Sequence, residues 1–224
     1  MKIVLFSHVI NIGCGMEITH EQTNLLESSG LLDACTESHF NLHYDKSDYQ
    51  WLIDRWSSKN VKFHTFDESY KDWYEATTIL SIQDYVSKSN DEFYVCYIHH
   101  KGASHGPDAH HNWRRYMQYW NIEKWRDCVN KLDEGYDTCG ASFLGNPPYP
   151  FYAGNFYWAK ASYLRRCKRM ERPPDVDFQP QFDGQPHHRF DWECWNGSGN
   201  PKAFDLHTGP ENRWYWPPQL YRMD

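Results

Sequence analysis

The stretch Glu92-Phe93-Tyr94-Val95-Cys96-Tyr97-Ile98-His99-His100-Lys101-Gly102 decides the fold. Phe93 to Ile98 is an unbroken apolar and aromatic run, the pattern of a strand buried on both faces. It stops abruptly at two histidines, a lysine and a glycine. Such a strand belongs in the middle of a sheet covered by helices. Its polar end belongs beyond the carboxyl edge, where such sheets bind ligands.

Toward the N terminus the same alternation recurs. Lys2–Phe6 reads as a first strand that runs into a polar loop holding Asn11, Gly13 and Gly15. Glu17–Ser29 reads as a helix stopped by Gly30, and Thr36–His43 and Val61–Phe66 as the second and third strands. Asp48–Ser57 and Tyr70–Ser87 place their larger side chains at helical spacing. The order β-α-β-α-β-α-β up to His99 predicts a mostly parallel sheet flanked by helices.

Beyond the stretch, Asn112–Leu132 reads as the longest helix. Its stripe of Trp113, Tyr116, Met117 and Trp120 resumes after a one-residue slip at Trp125, Cys128, Val129 and Leu132. Thr138–Leu144 and Phe156–Trp158 read as strands, Ala161–Lys168 and Phe190–Trp195 as helices, Pro173–Pro186 as a loop and Lys202–Leu206 as a last strand. One α/β domain over residues 1–224 follows, with a Trp-, Tyr- and Pro-rich tail at Trp214–Tyr221.

Composition narrows the function. Lys and Arg number 23 against 30 Asp and Glu, a net charge of −7, which argues against nucleic acid or an anionic membrane as partner. The longest apolar run is far short of the ~20 residues a membrane helix needs, and no signal peptide is evident. The seven cysteines are scattered with no C-x-x-C pair, as expected of reduced thiols in a cytoplasmic protein. Eleven Trp, 16 Tyr and 12 Phe make 17% of the chain aromatic, enough to supply both a core and stacking platforms for a sugar or base. Neither G-x-G-x-x-G nor G-x-x-x-x-G-K-[ST] occurs, which disfavours a dinucleotide oxidoreductase and a P-loop NTPase.

Four segments carry candidate chemistry. The turn His99-His100-Lys101-Gly102 offers imidazoles, an ammonium and a glycine backbone to an anion, with Arg114 following at the next helix and Ser7 and His8 following the first strand. Gly154 and Asn155 precede Phe156, Tyr157 and Trp158, a combination suited to holding a hydroxylated sugar face, though Phe156 suits a core equally. Asp191 and Glu193 stand among Trp192 and Trp195, where rings can raise a carboxylate's pKa for general-base work. For Asp191 a surface or capping role is the stronger reading. Asp175-Val-Asp177 has the form of a metal motif but lies in the proline-bounded loop, and no H-E-x-x-H accompanies the 13 histidines.

Taken together, His99-His-Lys-Gly102, Trp113-Arg-Arg-Tyr-Met117, Gly154-Asn-Phe-Tyr-Trp-Ala159 and Glu193-Cys-Trp-Asn-Gly197 resemble, in order and spacing, segments of small GT-A-type glycosyltransferases. That family includes the capsid-glycan enzymes of large algal viruses. The motifs run H-T-K-G, W-R-R-Y-M, G-N-F-W-W-A and E-x-W-I-G, and the likeness covers roughly residues 90–200. His100 replaces Thr and Asn196 replaces Ile. The resemblance implies a nucleoside diphosphate sugar donor, UDP-linked in the first instance, and a glycan or glycoprotein acceptor. Residues 1–104 would form the donor half and 105–224 the acceptor half.

On this view Ser7, His8, His99, His100, Lys101, Gly102 and Arg114 hold the donor. Gly154, Asn155, Trp158, Trp192 and Trp195 shape the sugar and acceptor sites, and Glu193, or Asp191, is the catalytic base of an inverting reaction. The resemblance names no certain cofactor. A divalent metal, Mn or Mg, is compatible with it, although no Asp-x-Asp stands at the strand end. Two other classes compete: a carbohydrate-binding module without catalysis, and a histidine-dependent metal hydrolase.

Overall fold

The computed structural model describes residues 1–43, 46–66, 75–104, 110–145, 149–170, 181–182, 185–186 and 192–207. In chain order the elements are β1 (Ile3–Ile10), α1 (Gly15–Ser28), α2 (Leu31–Ala34), β2 (Glu37–His43), a 3-10 turn (Lys46–Tyr49), α3 (Gln50–Arg55), β3 (Val61–Phe66), α4 (Ala76–Ser87) and β4 (Tyr94–His99). Then come α5 (His111–Gln118), a π-helical turn (Tyr119–Glu123), α6 (Trp125–Asp133), β5 (Thr138–Gly140), β6 (Phe143–Leu144), β7 (Phe151–Tyr152), β8 (Tyr157–Lys160) and α7 (Ala161–Leu164). The pair β9 (Gln181–Phe182) and β10 (Gln185–Pro186), a 3-10 turn (Trp195–Gly197) and β11 (Ala203–Asp205) complete the described chain.

Seven strands form one sheet in the order β11-β5-β8-β4-β1-β2-β3. The mixed α/β fold with a mostly parallel central sheet is the expected one. Strands β1 to β4 run parallel to one another, while β8 runs antiparallel to both β4 and β5. β11 pairs with β5, so the last described strand extends the same sheet as the first four.

Alternation along the central strands builds a core on each face. Ile3, Leu5 and Val9 of β1 pack with Cys96 and Ile98 of β4 and with Leu26, Tyr116, Met117, Cys128 and Leu132 from α1, α5 and α6. Val4 and Phe6 point the other way, to Val95 and Tyr97 and to Ala76, Ile79, Ile82 and Val86 of α4. Each such aliphatic or Phe side chain contributes about 1.5–3 kcal/mol on full burial.

Several elements are shorter than the sequence predicts. The long helix 112–132 is interrupted by the π-helical turn, and the one-residue slip in its apolar stripe is the extra residue of that turn. The strand expected over 138–144 is two strands separated at Ser142, whose φ of 63° breaks extended pairing. The 173–186 loop contributes the antiparallel β9–β10 pair at its end. All seven cysteines are free thiols. Among the described residues no helix is long and apolar enough to cross a membrane.

Candidate functional site

The strand order reverses between β1 and β4: β2 and β3 lie to one side, and the later strands lie to the other. In open α/β sheets the crevice beyond the carboxyl ends at that point is where ligands bind. The register places His8 directly beside His99 and beside Asn41, so three polar side chains of adjacent strands project on one face. That face is covered by the start of α4. His8 Nδ1 lies 3.1 Å from Thr78 Oγ1, Asn41 Nδ2 donates to Thr78 Oγ1 at 3.0 Å, and His43 Nε2 lies 2.8 Å from Thr77 Oγ1. The His8 and His43 ring centres are 4.6 Å apart.

At the centre stands Glu75, immediately before α4 and only 5% exposed. Its Oε1 is 3.2 Å from His99 Nδ1. Its Oε2 accepts from the Tyr97 hydroxyl at 2.8 Å and from Asn155 Nδ2 at 2.5 Å. His99 Nε2 in turn donates to the Gly154 carbonyl at 2.6 Å. The result is a closed ring of polar contacts joining α4, the end of β4 and the turn between β7 and β8. Gly154 has φ +92°, and a Cβ there would lie 2.9 Å from Trp113 Nε1, so only glycine lets the turn approach α5 this closely.

The turn after β4 closes over the other side. Gly102, at φ +84°, takes the chain past His110. Lys101 is 6% exposed and holds its ammonium 4.0 Å from the centre of the Trp113 ring. The Arg114 guanidinium donates to the Lys101 carbonyl and to Glu21 of α1, both at 3.3 Å. His100 Nδ1 lies 3.2 Å from the Ile10 amide and 3.1 Å from its carbonyl, fixing the end of β1.

Burial governs the charge on the histidines. Burial, reinforced by His43, His99 and His100, holds His8 well below the usual imidazole range. Burial alone lowers His43 to about 4. His100 falls to about 3, chiefly through burial, with the Ile10 hydrogen bond opposing and His99 and Arg114 assisting. These three rings are therefore neutral at neutral pH. Tyr97 is pushed well above its ordinary value by burial and then by Glu75.

The structure gathers some of the expected residues and disperses others. His8 and His99 stand side by side, and Gly154 and Asn155 join them through Glu75, while His100, Lys101 and Gly102 form the adjoining turn packed on Ile10, Trp113 and His110. Arg114 braces the β4 turn against α1. Ser7 alternates to the opposite face from His8, fully buried and with its hydroxyl unpartnered. Trp158 is not a sugar platform. Its indole is wholly buried in the α5–α6 core, stacks on Trp125 and donates to the Asn121 carbonyl at 3.0 Å. Trp192 and Trp195 are likewise core residues of the α4 side, and Trp195 Nε1 donates to the Lys168 carbonyl at 2.9 Å. Between them Glu193 is 5% exposed and acts electrostatically on Tyr97, which brings it to the Glu75 cluster. Asp191, Asp175 and Asp177 lie outside the described residues.

A divalent metal does not fit the described donors. No group of three His, Cys, Asp or Glu is placed to hold an ion among the described residues, and both nitrogens of His99 are engaged by Glu75 and Gly154. Residues that sequence reasoning misses are Glu75, Asn41, Thr77, Thr78 and Tyr97. Only Asn41 leaves a local trace, as an amide inside an apolar strand.

No curated protein matches the chain. Residues 15–219 match the family described as domain of unknown function (DUF8361), nearly the whole length, and the chain belongs to that family.

Proposed function

We propose that the protein is a glycosyltransferase that moves a sugar from a nucleoside diphosphate sugar to a glycan hydroxyl. The observation that carries this reading is the convergence of Lys101, His8, His99, His100 and the Gly154–Asn155 turn on the crevice at the β1–β4 switch point. The parallel β3-β2-β1-β4 half has the arrangement that binds nucleotides in doubly wound sheets, and α1 begins beside it, where helix amides favour phosphate.

The chemistry needs charge stabilisation on the departing diphosphate, which falls to Lys101 aided by neutral imidazole donors. It needs a base at the acceptor hydroxyl when configuration inverts, which falls to Glu193. The four sequence segments of the resemblance support the same reading. A hydrolase built on histidine-bound metal finds no ligand set among the described residues. A carbohydrate-binding module has no need of a buried lysine at a strand end.

A thermal-shift panel of UDP- and GDP-linked sugars tests the proposal, with Mn²⁺ and EDTA arms. A ligand that binds only the native state at 100 times its Kd stabilises by about 2.7 kcal/mol. A rise in Tm with one nucleotide sugar, followed by release of the nucleoside diphosphate when acceptor glycan is added, is the expected result. No shift with any nucleotide sugar overturns it.

A further inference from the structure

The polar contacts around Glu75 bear on the charge of His99. A carbonyl oxygen only accepts, so the 2.6 Å contact to Gly154 requires a hydrogen on His99 Nε2. His99 Nδ1 lies 3.2 Å from Glu75 Oε1, a salt bridge when the ring is protonated. Glu75 Oε2 takes two donors, the Tyr97 hydroxyl and the Asn155 amide, which favour the ionised carboxylate. An ionised Glu75 at that distance favours a second proton on the ring, the imidazolium form of His99.

That leaves Asn155 as the group with capacity. Its φ of 54° lies in the left-handed region that Asn enters more readily than other side chains, and it is 1% exposed. Its amide nitrogen is committed to Glu75, while its Oδ1 has no partner among the described residues. The hydroxyl of Tyr157 on β8, buried and electrostatically linked to Glu75, is likewise without a partner among the described residues. A buried polar atom so placed is available to a ligand that completes its bonding.

We propose that Glu75 is a positioning residue that keeps His99 as an imidazolium clamp on the Gly154 carbonyl, and that the clamp presents Asn155 Oδ1 to a hydroxyl of the transferred sugar. The second half rests on the transferase reading; the first does not. Among the described residues the titratable groups acting on the pair include His8 from β1, Tyr97 and His100 from β4 and its turn, and Tyr157 from β8, while Glu193 acts on Tyr97.

The test has two arms. In ¹⁵N-histidine NMR at pH 7, with His99 assigned by the signal lost in His99→Gln, both ring nitrogens of the wild type carry hydrogen. In Glu75→Gln the ring becomes a neutral Nε2–H tautomer. A neutral ring in the wild type, measured without any variant, overturns the clamp, as does an imidazolium unchanged by Glu75→Gln. In the second arm Asn155→Gly, whose backbone accepts the same φ, loses about 3- to 10-fold of the wild type's preference for a UDP-sugar over UDP in calorimetry. An unchanged preference overturns the sugar-reading role. Absence of any nucleotide binding by the wild type overturns the transferase reading and the role of Asn155 with it, and the NMR arm alone then decides the clamp.

Discussion

Lys101 and Trp113 face each other across the β4–α5 turn, the ammonium 4.0 Å from the ring centre. Trp113 also lies against Gly154, so one indole packs on both the cation and the turn between β7 and β8. A cation over an indole away from water contributes about 1–2 kcal/mol. A double-mutant cycle of Lys101→Met and Trp113→Leu in urea unfolding is expected to give a coupling energy in that range, and Trp113→Phe to retain part of it. Additive effects would place the ammonium elsewhere.

Gly102 is predicted to be irreplaceable for a backbone reason. Its φ of +84° disfavours any side chain, and a Cβ would stand 2.8 Å from His110 Cβ. Gly102→Ala should cost at least about 1 kcal/mol from conformation alone, with the clash added. Gly145→Ala is the control, since no described residue lies within 4 Å of a Cβ there. Equal urea midpoints for the two variants would contradict the account.

Stability should fall with acid before ordinary carboxylates titrate. His43 and His100 stay neutral in the fold down to about 4 and about 3, and His8 is lowered likewise, whereas the unfolded chain takes up these protons near pH 6.5. The unfolded state then binds more protons, so the stabilisation is complete above pH 6.5 and is lost as pH falls. Each ring contributes a slope on the order of 1 kcal/mol per pH unit between about pH 6 and 5. Urea midpoints across that window measure it, and His43→Gln should flatten the slope. A flat profile in the wild type would mean that the rings are not held neutral.

Glu193 separates base from scaffold. Glu193→Gln keeps shape and hydrogen bonding but cannot take a proton, so turnover should fall by about 10²–10⁴ while donor binding survives. A raised acceptor KM with near-normal kcat would make Glu193 an anchor instead.

The strand Phe93–Ile98 and the alternation before it are legible in sequence because a strand buried on both faces has no polar residue to confuse the period. The turn His99–Gly102 is legible because three polar residues and a glycine end such a strand abruptly. Glu75 is not. It lies 24 positions from His99, in no motif, and only the packing of α4 on β4 brings it to the imidazole. Trp158 misleads for the opposite reason: an aromatic beside Asn155 alternates to the far face of β8 and joins the core there. The antiparallel insertion of β8 likewise follows from long-range pairing that leaves no local pattern.

The most direct test of the central claim is a calorimetric titration of UDP into the wild type, Lys101→Arg and Lys101→Ala. Removing a buried cation from a phosphate site typically costs 2–5 kcal/mol or about 30- to 4,000-fold in affinity. The account predicts that UDP binds the wild type, binds Lys101→Arg less tightly and is largely lost to Lys101→Ala, with all three folded. UDP affinity that is the same in all three would remove the β4 turn from the donor site and contradict the account.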